Sequence, residues 1–299
     1  MKILVTGSKG LVGRQVVHDL LMDGETVFSG YHISKPEKGI PIQIDLNHHE
    51  NFRDIIKKIN PDSIIHLAAK TNVDDCEKEK DLALKINAHA TVELSKQAAK
   101  QHAFFVYVST DYVFDGNKGM NVESSKPNPT NYYGKTKLEG EKAVMDLASS
   151  CCIARTSCPF GLHPIKKSFP VWVTQNLIEN KNIKVIVNQF TSPTYVPNLS
   201  KMLIEIAKRQ IVGTIHLAGK TRISRYGLAE MIAEKLKLDE KLLKPINIDE
   251  MDWIAKRPID SSLDVSKAVS SLNEKPMAIE QALDYFAEEI KPQLGIDLQ

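Results

Sequence analysis

The chain has 299 residues, 25% of them charged, and a formal net charge of +2 at pH 7. That is material for one large domain or two fused ones, and without a long basic run it argues against nucleic acid or a membrane surface as the main partner. No apolar run approaches a membrane span, the N-terminus has no signal-peptide architecture, and Cys76, Cys151, Cys152 and Cys158 lack metal-ligand spacing, so the expectation is a cytoplasmic protein with reduced thiols and no metal site.

Residues 2–6 form a β-branched run that predicts a central parallel strand. Gly7-Ser8-Lys9-Gly10-Leu11-Val12-Gly13 follows, and apolar residues at 11, 12, 16, 17, 20 and 21 predict a helix. Strand, glycine loop, helix is the setting of a dinucleotide-binding turn. Glycines allow a tight turn and close approach, and the helix N-terminus offers amides to a pyrophosphate. Gly7, Gly10, Leu11, Val12 and Gly13 are therefore candidate cofactor contacts. Residues 26–31 predict the second strand, which ends in Gly30-Tyr31-His32-Ile33-Ser34-Lys35. The acid that accepts from ribose hydroxyls in many NAD-binding folds is absent. His32, Ser34 and Lys35 are candidates to meet a 2′-phosphate, which favours NADP(H) over NAD(H). Residues 41–46 predict a third strand with Asp45 and Leu46 at its end. The Asp45 carboxylate suits either an adenine amino group or the cap of a helix over 51–59. Residues 63–69 predict the fourth strand, with His66 as a core histidine. Ala68 and Ala69, with Lys70 after them, fall at the strand end where open α/β sheets bind ligands.

Residues 73–103 predict one or two helices with Asn87 inside. Asparagine is mildly unfavourable there, which hints at a fixed hydrogen bond. Residues 104–108 are wholly apolar, a fifth strand buried on both faces. The strand runs into Ser109-Thr110-Asp111-Tyr112-Val113-Phe114-Asp115-Gly116 at the ligand edge, where a hydroxyl suits a substrate carbonyl. A loop rich in Gly, Asn, Ser and Pro leads to Asn131-Tyr132-Tyr133-Gly134-Lys135-Thr136-Lys137. Tyr133 and Lys137 are four apart and share one helix face; Tyr132 is five from Lys137 and points elsewhere. An ammonium that close favours the phenolate, so the expected Tyr133 pKa is lowered toward neutrality, as general acid–base work needs. Residues 151–156 predict the sixth strand.

Taken in order, the glycine turn, His66-Leu67-Ala68-Ala69, Asn87, Ser109 to Gly116, Tyr133 to Leu138 and Arg155-Thr156-Ser157 resemble the extended short-chain dehydrogenase/reductases, and within them the dTDP-4-dehydrorhamnose reductase group. The resemblance runs through most of the chain. It implies a catalytic trio of Thr110, Tyr133 and Lys137, substrate contact by Asp111, and a relay-type role for Asn87. It also implies reduction of a nucleotide-linked 4-keto-6-deoxy sugar by NAD(P)H. Cys158 stands where many members carry an aromatic ring flanking the reaction site. A regulatory subunit resembling the methionine adenosyltransferase β subunit, and a nucleotide-sugar epimerase, are the alternatives.

Beyond 158 the alternation is less regular. Helices are expected over 171–179, 199–208 and 277–290, with another opening at Ile223-Ser224-Arg225-Tyr226, and strands over 184–187 and 213–218. Thr191-Ser192-Pro193-Thr194-Tyr195 resembles a family segment that helps build the substrate site. The expected architecture is a Rossmann-type doubly wound parallel sheet over 1–158. A smaller substrate-binding region over 159–299 follows, with parts of 198–219 packing back on the sheet. Lys166, Lys167, Arg225 and Arg257 are candidate cations for a substrate diphosphate. The expected partner is a nucleotide sugar, and a homodimer is left open.

Overall fold

The computed structural model describes residues 1–146 and 150–294; 295–299, the end of the expected substrate region, lie outside them. The first part of the chain runs β1 (Lys2–Thr6), α1 (Leu11–Met22), β2 (Thr26–Tyr31), β3 (Ile40–Gln43), α2 (Phe52–Ile59), β4 (Ser63–His66), α3 (Val73–Lys78), α4 (Lys80–Leu84), α5 (Ala90–Lys100), β5 (Phe104–Thr110), α6 (Tyr132–Met145) and β6 (Cys151–Thr156). The rest runs β7 (Pro159–Phe160), α7 (Phe169–Ile178), β8 (Ile183–Ile186), β9 (Phe190–Thr191), β10 (Thr194–Tyr195), α8 (Val196–Arg209), β11 (Gly213–His216), β12 (Ile223–Ser224), α9 (Arg225–Lys235), β13 (Leu243–Ile246), α10 (Ser266–Ser271) and α11 (Ile279–Leu294).

Seven strands form one sheet in the order β11-β6-β5-β4-β1-β2-β3, every pairing parallel. Successive side chains on a strand face opposite ways. Ile3 and Val5 pack under α1 and α8 with Val16, Leu20, Leu199 and Met202. Leu4 faces the other side, with Phe52, Ile56, Leu94 and Val144 from α2, α5 and α6. Two covered faces explain why these strands read as unbroken apolar runs. The Rossmann-type fold anticipated from the sequence is present. Its strand order reverses at β1 and β4, where a crevice opens beyond the strand ends. α8 and β11 lie on this sheet: β11 pairs with β6, and α8 packs against α1. A separate apolar cluster joins α7, α9 and α11 with Ile183, Val185 and Leu243 of the β8–β13 pair.

The deviations from the expected element bounds have local causes. The fourth strand stops at His66 rather than 69 because the Thr6 hydroxyl accepts from the Leu67 and Ala68 amides, at 3.1 and 3.2 Å, in place of a ladder partner. The third strand stops at Gln43; Asp45 Oδ1 accepts from the Asn47 amide at 2.9 Å and turns the chain. The helical stretch after residue 73 is broken into α3, α4 and α5, with a π turn over Lys85–His89 between the last two. Such wide turns often sit at functional sites. Here the wide turn holds Asn87.

α6 lies unusually close to the sheet. The Asn131 side chain caps it by accepting from the Gly134 amide at 2.9 Å, and donates to the Lys256 carbonyl at 2.9 Å. A Cβ on Gly134 would fall 2.1 Å from the Tyr112 carbonyl, and one on Gly140 would fall 2.4 Å from the Tyr107 hydroxyl. Farther along, Glu141 accepts from Arg155 Nε and Nη2 at 2.9 and 2.7 Å, both side chains being almost wholly buried. Removing one partner of such a pair leaves an uncompensated buried charge and costs roughly 3–5 kcal/mol. Glu141→Ala is therefore expected to lose stability on that scale in chemical denaturation, while Glu141→Ala with Arg155→Met loses less than the sum of the two single changes. A loss of less than about 1 kcal/mol for Glu141→Ala would show that the pair does not hold α6 in place.

Candidate active site

A cleft of about 730 Å³ opens at the C-terminal ends of β1, β2, β4, β5 and β6. At its floor Gly7 has φ of +67°, a conformation that L side chains rarely adopt, and a Cβ there would lie 2.9 Å from the Ala68 nitrogen. A Cβ on Gly13 would lie 2.2 Å from the Gly7 carbonyl oxygen. The first turn of α1 thus folds directly against the β1 turn, and Gly10, Leu11, Val12 and Gly13 line the cleft. That turn holds no acidic residue, and its N-cap is a glycine without a side-chain cap. The positive end of the helix is left for an anion from outside the chain.

At one end the cleft is walled by Tyr31, His32, Asp45 and Leu46, with His32 Nε2 3.3 Å from Asp45 Oδ2. Ser34 and Lys35, expected with His32, do not line it. Lys9 Nζ donates to the Lys35 carbonyl at 3.4 Å, beside the segment that follows β2. Ala68, Ala69 and Lys70 line the middle. Asn87 grips Lys70 from beneath, with Oδ1 accepting from its amide at 2.8 Å and Nδ2 donating to its carbonyl at 3.0 Å. The same Nδ2 donates to Thr136 Oγ1 at 3.0 Å, which ties the β4 edge to α6 between Tyr133 and Lys137. Asn87 does not reach the cleft itself; it holds the Lys70 backbone that lines it. His66 is a core histidine as read: it is buried, it bonds Thr6 and Thr91 at 2.7 and 3.1 Å, and burial pulls its pKa down to about 3.

Thr110, Asp111, Tyr133, Lys137 and Cys158 come together at the other end of the cleft. Tyr133 lines it and Tyr132 does not; the Tyr132 ring lies under the Lys80 ammonium, at 5.6 Å. The expected lowering of the Tyr133 pKa is absent. Burial pushes the phenol up, opposed by a hydrogen bond with the Thr110 hydroxyl. The cause lies in the lysine: Lys137 Nζ donates to the Val108 carbonyl at 2.8 Å and sits 4.0 Å over the Tyr107 ring. Helical spacing brings the two residues onto one face, but a buried ammonium is drawn to the carbonyl and ring that compensate for its lost water. Asp111 is engaged on both oxygens. Oδ1 accepts from Thr110 at 3.0 Å, and Oδ2 accepts from Ser157 and Ser261 at 2.8 and 2.5 Å. Burial raises its carboxyl pKa, against those three hydroxyls.

Cys158 adopts φ of +40° and accepts from Arg225 Nη2 at 3.5 Å. Arg225 is further held by Gln189 Oε1 at 2.9 Å, and Arg257 by Asp74 Oδ1 at 2.8 Å. Of the four candidate cations, Lys166 and Lys167 line the cleft. Ser109 lies on the wall, at the ligand edge where the sequence places it; Thr6, Tyr31, Thr156 and Ser168 on the wall carry no sequence signal that marks them. The Ser109 and Thr156 hydroxyls are buried there with no hydrogen-bond partner, and such orphaned groups suit a polar ligand. Only the sheet register places Thr156 beside Thr110. Among the described residues, no helix is long and apolar enough to cross a membrane, and no group of His, Cys, Asp or Glu is arranged to hold a metal ion.

Burial lowers the Lys137 pKa from 10.5 to about 7, with Glu141 opposing. Between those values the unfolded chain binds more protons than the folded one, so this group makes stability rise with pH. The cost of burying the ammonium is full below about 7 and fades toward 10.5. Lys137→Met is expected to raise the melting temperature most at the acid end of that window and least at the alkaline end. Thermal melts across the window check it; a pH-independent difference would contradict it.

Known proteins similar in sequence and in fold point to one family. A family model described as RmlD substrate binding domain matches residues 1–291. A probable low-salt glycan biosynthesis reductase of Haloferax volcanii is 31% identical, over 95% of this chain and 96% of its own. A dTDP-4-dehydrorhamnose reductase of Aggregatibacter actinomycetemcomitans is 31% identical, over 94% and 97%. Methionine adenosyltransferase 2 subunit beta of Mus musculus is 32% identical, over 89% and 81%. The crystal structure of a hypothetical dTDP-4-dehydrorhamnose reductase from Sulfolobus tokodaii superposes with a TM-score of 0.84 at 38% identity, covering 94% of this chain and 98% of that one. One from Bacillus anthracis in complex with NADP gives 0.86 at 28% identity, covering 96% and 99%. The chain belongs to the RmlD substrate binding domain family, within the dTDP-4-dehydrorhamnose reductase group of the extended short-chain dehydrogenase/reductases.

Proposed function

We propose that this chain is an NAD(P)H-dependent reductase of a nucleotide-linked 4-keto-6-deoxy sugar, acting as a dTDP-4-dehydrorhamnose reductase in dTDP-L-rhamnose formation. The observation that carries this reading is the convergence of Thr110, Tyr133 and Lys137 at one end of a cleft whose other end is a glycine-floored helix N-terminus. The first part of the chain, 1–158, holds the dinucleotide. Region 159–299 contributes the sugar side, apart from the α8–β11 stretch that supports the sheet.

The residues fit a dinucleotide. Gly10 to Gly13 would receive a pyrophosphate at the open first turn of α1, and Tyr31, His32, Asp45 and Leu46 would flank an adenosine. NADP(H) is favoured over NAD(H). No acid stands at the end of β2, over residues 32–35, to repel a 2′-phosphate, and Lys9 Nζ bonds the backbone of that segment at Lys35. A bound reduced nicotinamide supplies the hydride. Thr110, whose single hydroxyl proton goes to Asp111 Oδ1 in the ligand-free cleft, would turn that proton to the sugar carbonyl and so orient it. Tyr133 gives its proton to the same oxygen as negative charge develops there. Lys137 lies one helical turn away, and its ammonium, once released from the Val108 carbonyl, would serve the phenol edge and a cofactor ribose hydroxyl. The phenol, kept protonated by burial, is a proton donor ready for use, and the charge of Lys137 stabilises the phenolate left behind. Asp111, clamped by three hydroxyls, fixes Thr110 and presents the loop to the substrate. Cys158 leaves room where the group often has a ring. The four free thiols fit a reducing compartment such as the cytoplasm.

A regulatory-subunit reading, raised by the methionine adenosyltransferase relatives, does not require a hydroxyl–phenol–ammonium trio in the cleft. Tyr133→Phe separates the readings. It is expected to lose roughly 10²–10⁴-fold in turnover of dTDP-4-dehydro-L-rhamnose while binding NADPH as the unmutated chain does. The unmutated chain is expected to show a lower KM for NADPH than for NADH. Full turnover by Tyr133→Phe would refute the assignment of the proton donor.

A further inference from the structure

The loop from β7 to α7 crosses the cofactor end of the cleft, where Lys166, Lys167 and Ser168 join its wall. Two ties hold it. At the base the Ser168 hydroxyl donates to the Gly161 carbonyl at 3.0 Å. At the tip lies His163. Its Nδ1 accepts from the Ile165 and Lys166 amides at 3.1 and 2.9 Å. Its Nε2 lies 3.0 Å from the carbonyl oxygen of Lys9, within the glycine turn. A carbonyl only accepts, so Nε2 carries the hydrogen and Nδ1 is the bare nitrogen. A single neutral imidazole therefore shapes the loop tip and fastens it to the turn that faces the helix N-terminus. No other hydrogen bond between side chain and backbone joins loop 161–168 to that turn among the described residues.

We propose that His163 is a positioning residue that latches this loop across the dinucleotide, holding Lys166 and Lys167 over the phosphates. The inference rests on the reading of the cleft as the cofactor site. A dinucleotide with its pyrophosphate at Gly10–Gly13 lies beneath the loop, because the same cleft is lined by those glycines and by Lys166 to Ser168. Its release then requires the Nε2–Lys9 bond to open. The latch sets residence time, whereas the chemistry belongs to Thr110, Tyr133 and Lys137.

Asparagine distinguishes a latch from a merely structural histidine. Its Oδ1 can accept from the amides two and three residues on, as in an Asx turn, but it does not span to the Lys9 carbonyl. His163→Asn therefore keeps the loop shape and removes the latch; His163→Ala removes both. The experiment is stopped-flow release of NADPH, chased with excess NADP⁺, together with thermal melts of the ligand-free variants. His163→Asn is expected to release NADPH roughly three- to tenfold faster, the factor that one hydrogen bond is worth, with a melting temperature lowered by at most a few degrees. His163→Ala is expected to release it at least as fast. Release from His163→Asn at the unmutated rate would overturn the latch while leaving the cofactor site standing. Failure of the unmutated chain to bind NADPH would overturn the cofactor reading, and the latch with it.

Discussion

The buried pair between Glu141 and Arg155 fixes where α6 lies, and the geometry of the cleft depends on that position. Arg155 sits on β6 and Glu141 one turn after Lys137, so two charge-assisted bonds pin the helix to the strand next to β5. Gly134 and Gly140 remove the side chains that would hold it away, and Asn87 ties its middle to the β4 edge. With the helix so placed, Tyr133 reaches the cleft at the level of Thr110. A shift of α6 by the width of one methyl group would separate the phenol from the hydroxyl. The pair is thus less a source of net stability than a constraint on register, since buried ion pairs are often replaceable by apolar groups at little cost.

The same close docking gives Lys137 its two-sided chemistry. A lysine this buried is held by the Val108 carbonyl and the Tyr107 ring, and its proton is easily lost. It is not yet turned toward Tyr133. Charge on the ammonium is cheapest when an anion is near, so a phenolate developing at Tyr133 favours turning it from the Val108 carbonyl toward the phenol. The electrostatics of the site are accordingly properties of the loaded cleft more than of the chain alone.

Much of this was legible in the sequence. The run of 2–6, the glycine turn and the wholly apolar 104–108 carried the sheet, because strands buried on both faces have no polar alternation to blur them. Helical spacing picked Tyr133 over Tyr132, and the cleft contains the former. The missing parts all depend on contacts between distant residues. Glu141 and Arg155 are on separate elements, and nothing local marks them as partners. Thr6 reads as the last residue of a strand, yet its hydroxyl ends β4. The path of the Lys137 side chain is set by what lies under it, the Tyr107 ring, so the Tyr133 pKa inferred from spacing had the wrong sign. The π turn around Asn87 reads as an ordinary helix because its apolar period barely changes over five residues.

The central claim is that the cleft passes a hydride to C4 of the sugar while Tyr133 supplies the proton. The most direct test is isotope transfer. The unmutated chain is incubated with dTDP-4-dehydro-L-rhamnose and NADPH deuterated at the transferable position of the nicotinamide, and the product is read by NMR. The expected product is dTDP-L-rhamnose carrying deuterium at C4 of the sugar. Unchanged substrate, or reduced sugar without deuterium at that carbon, would contradict it.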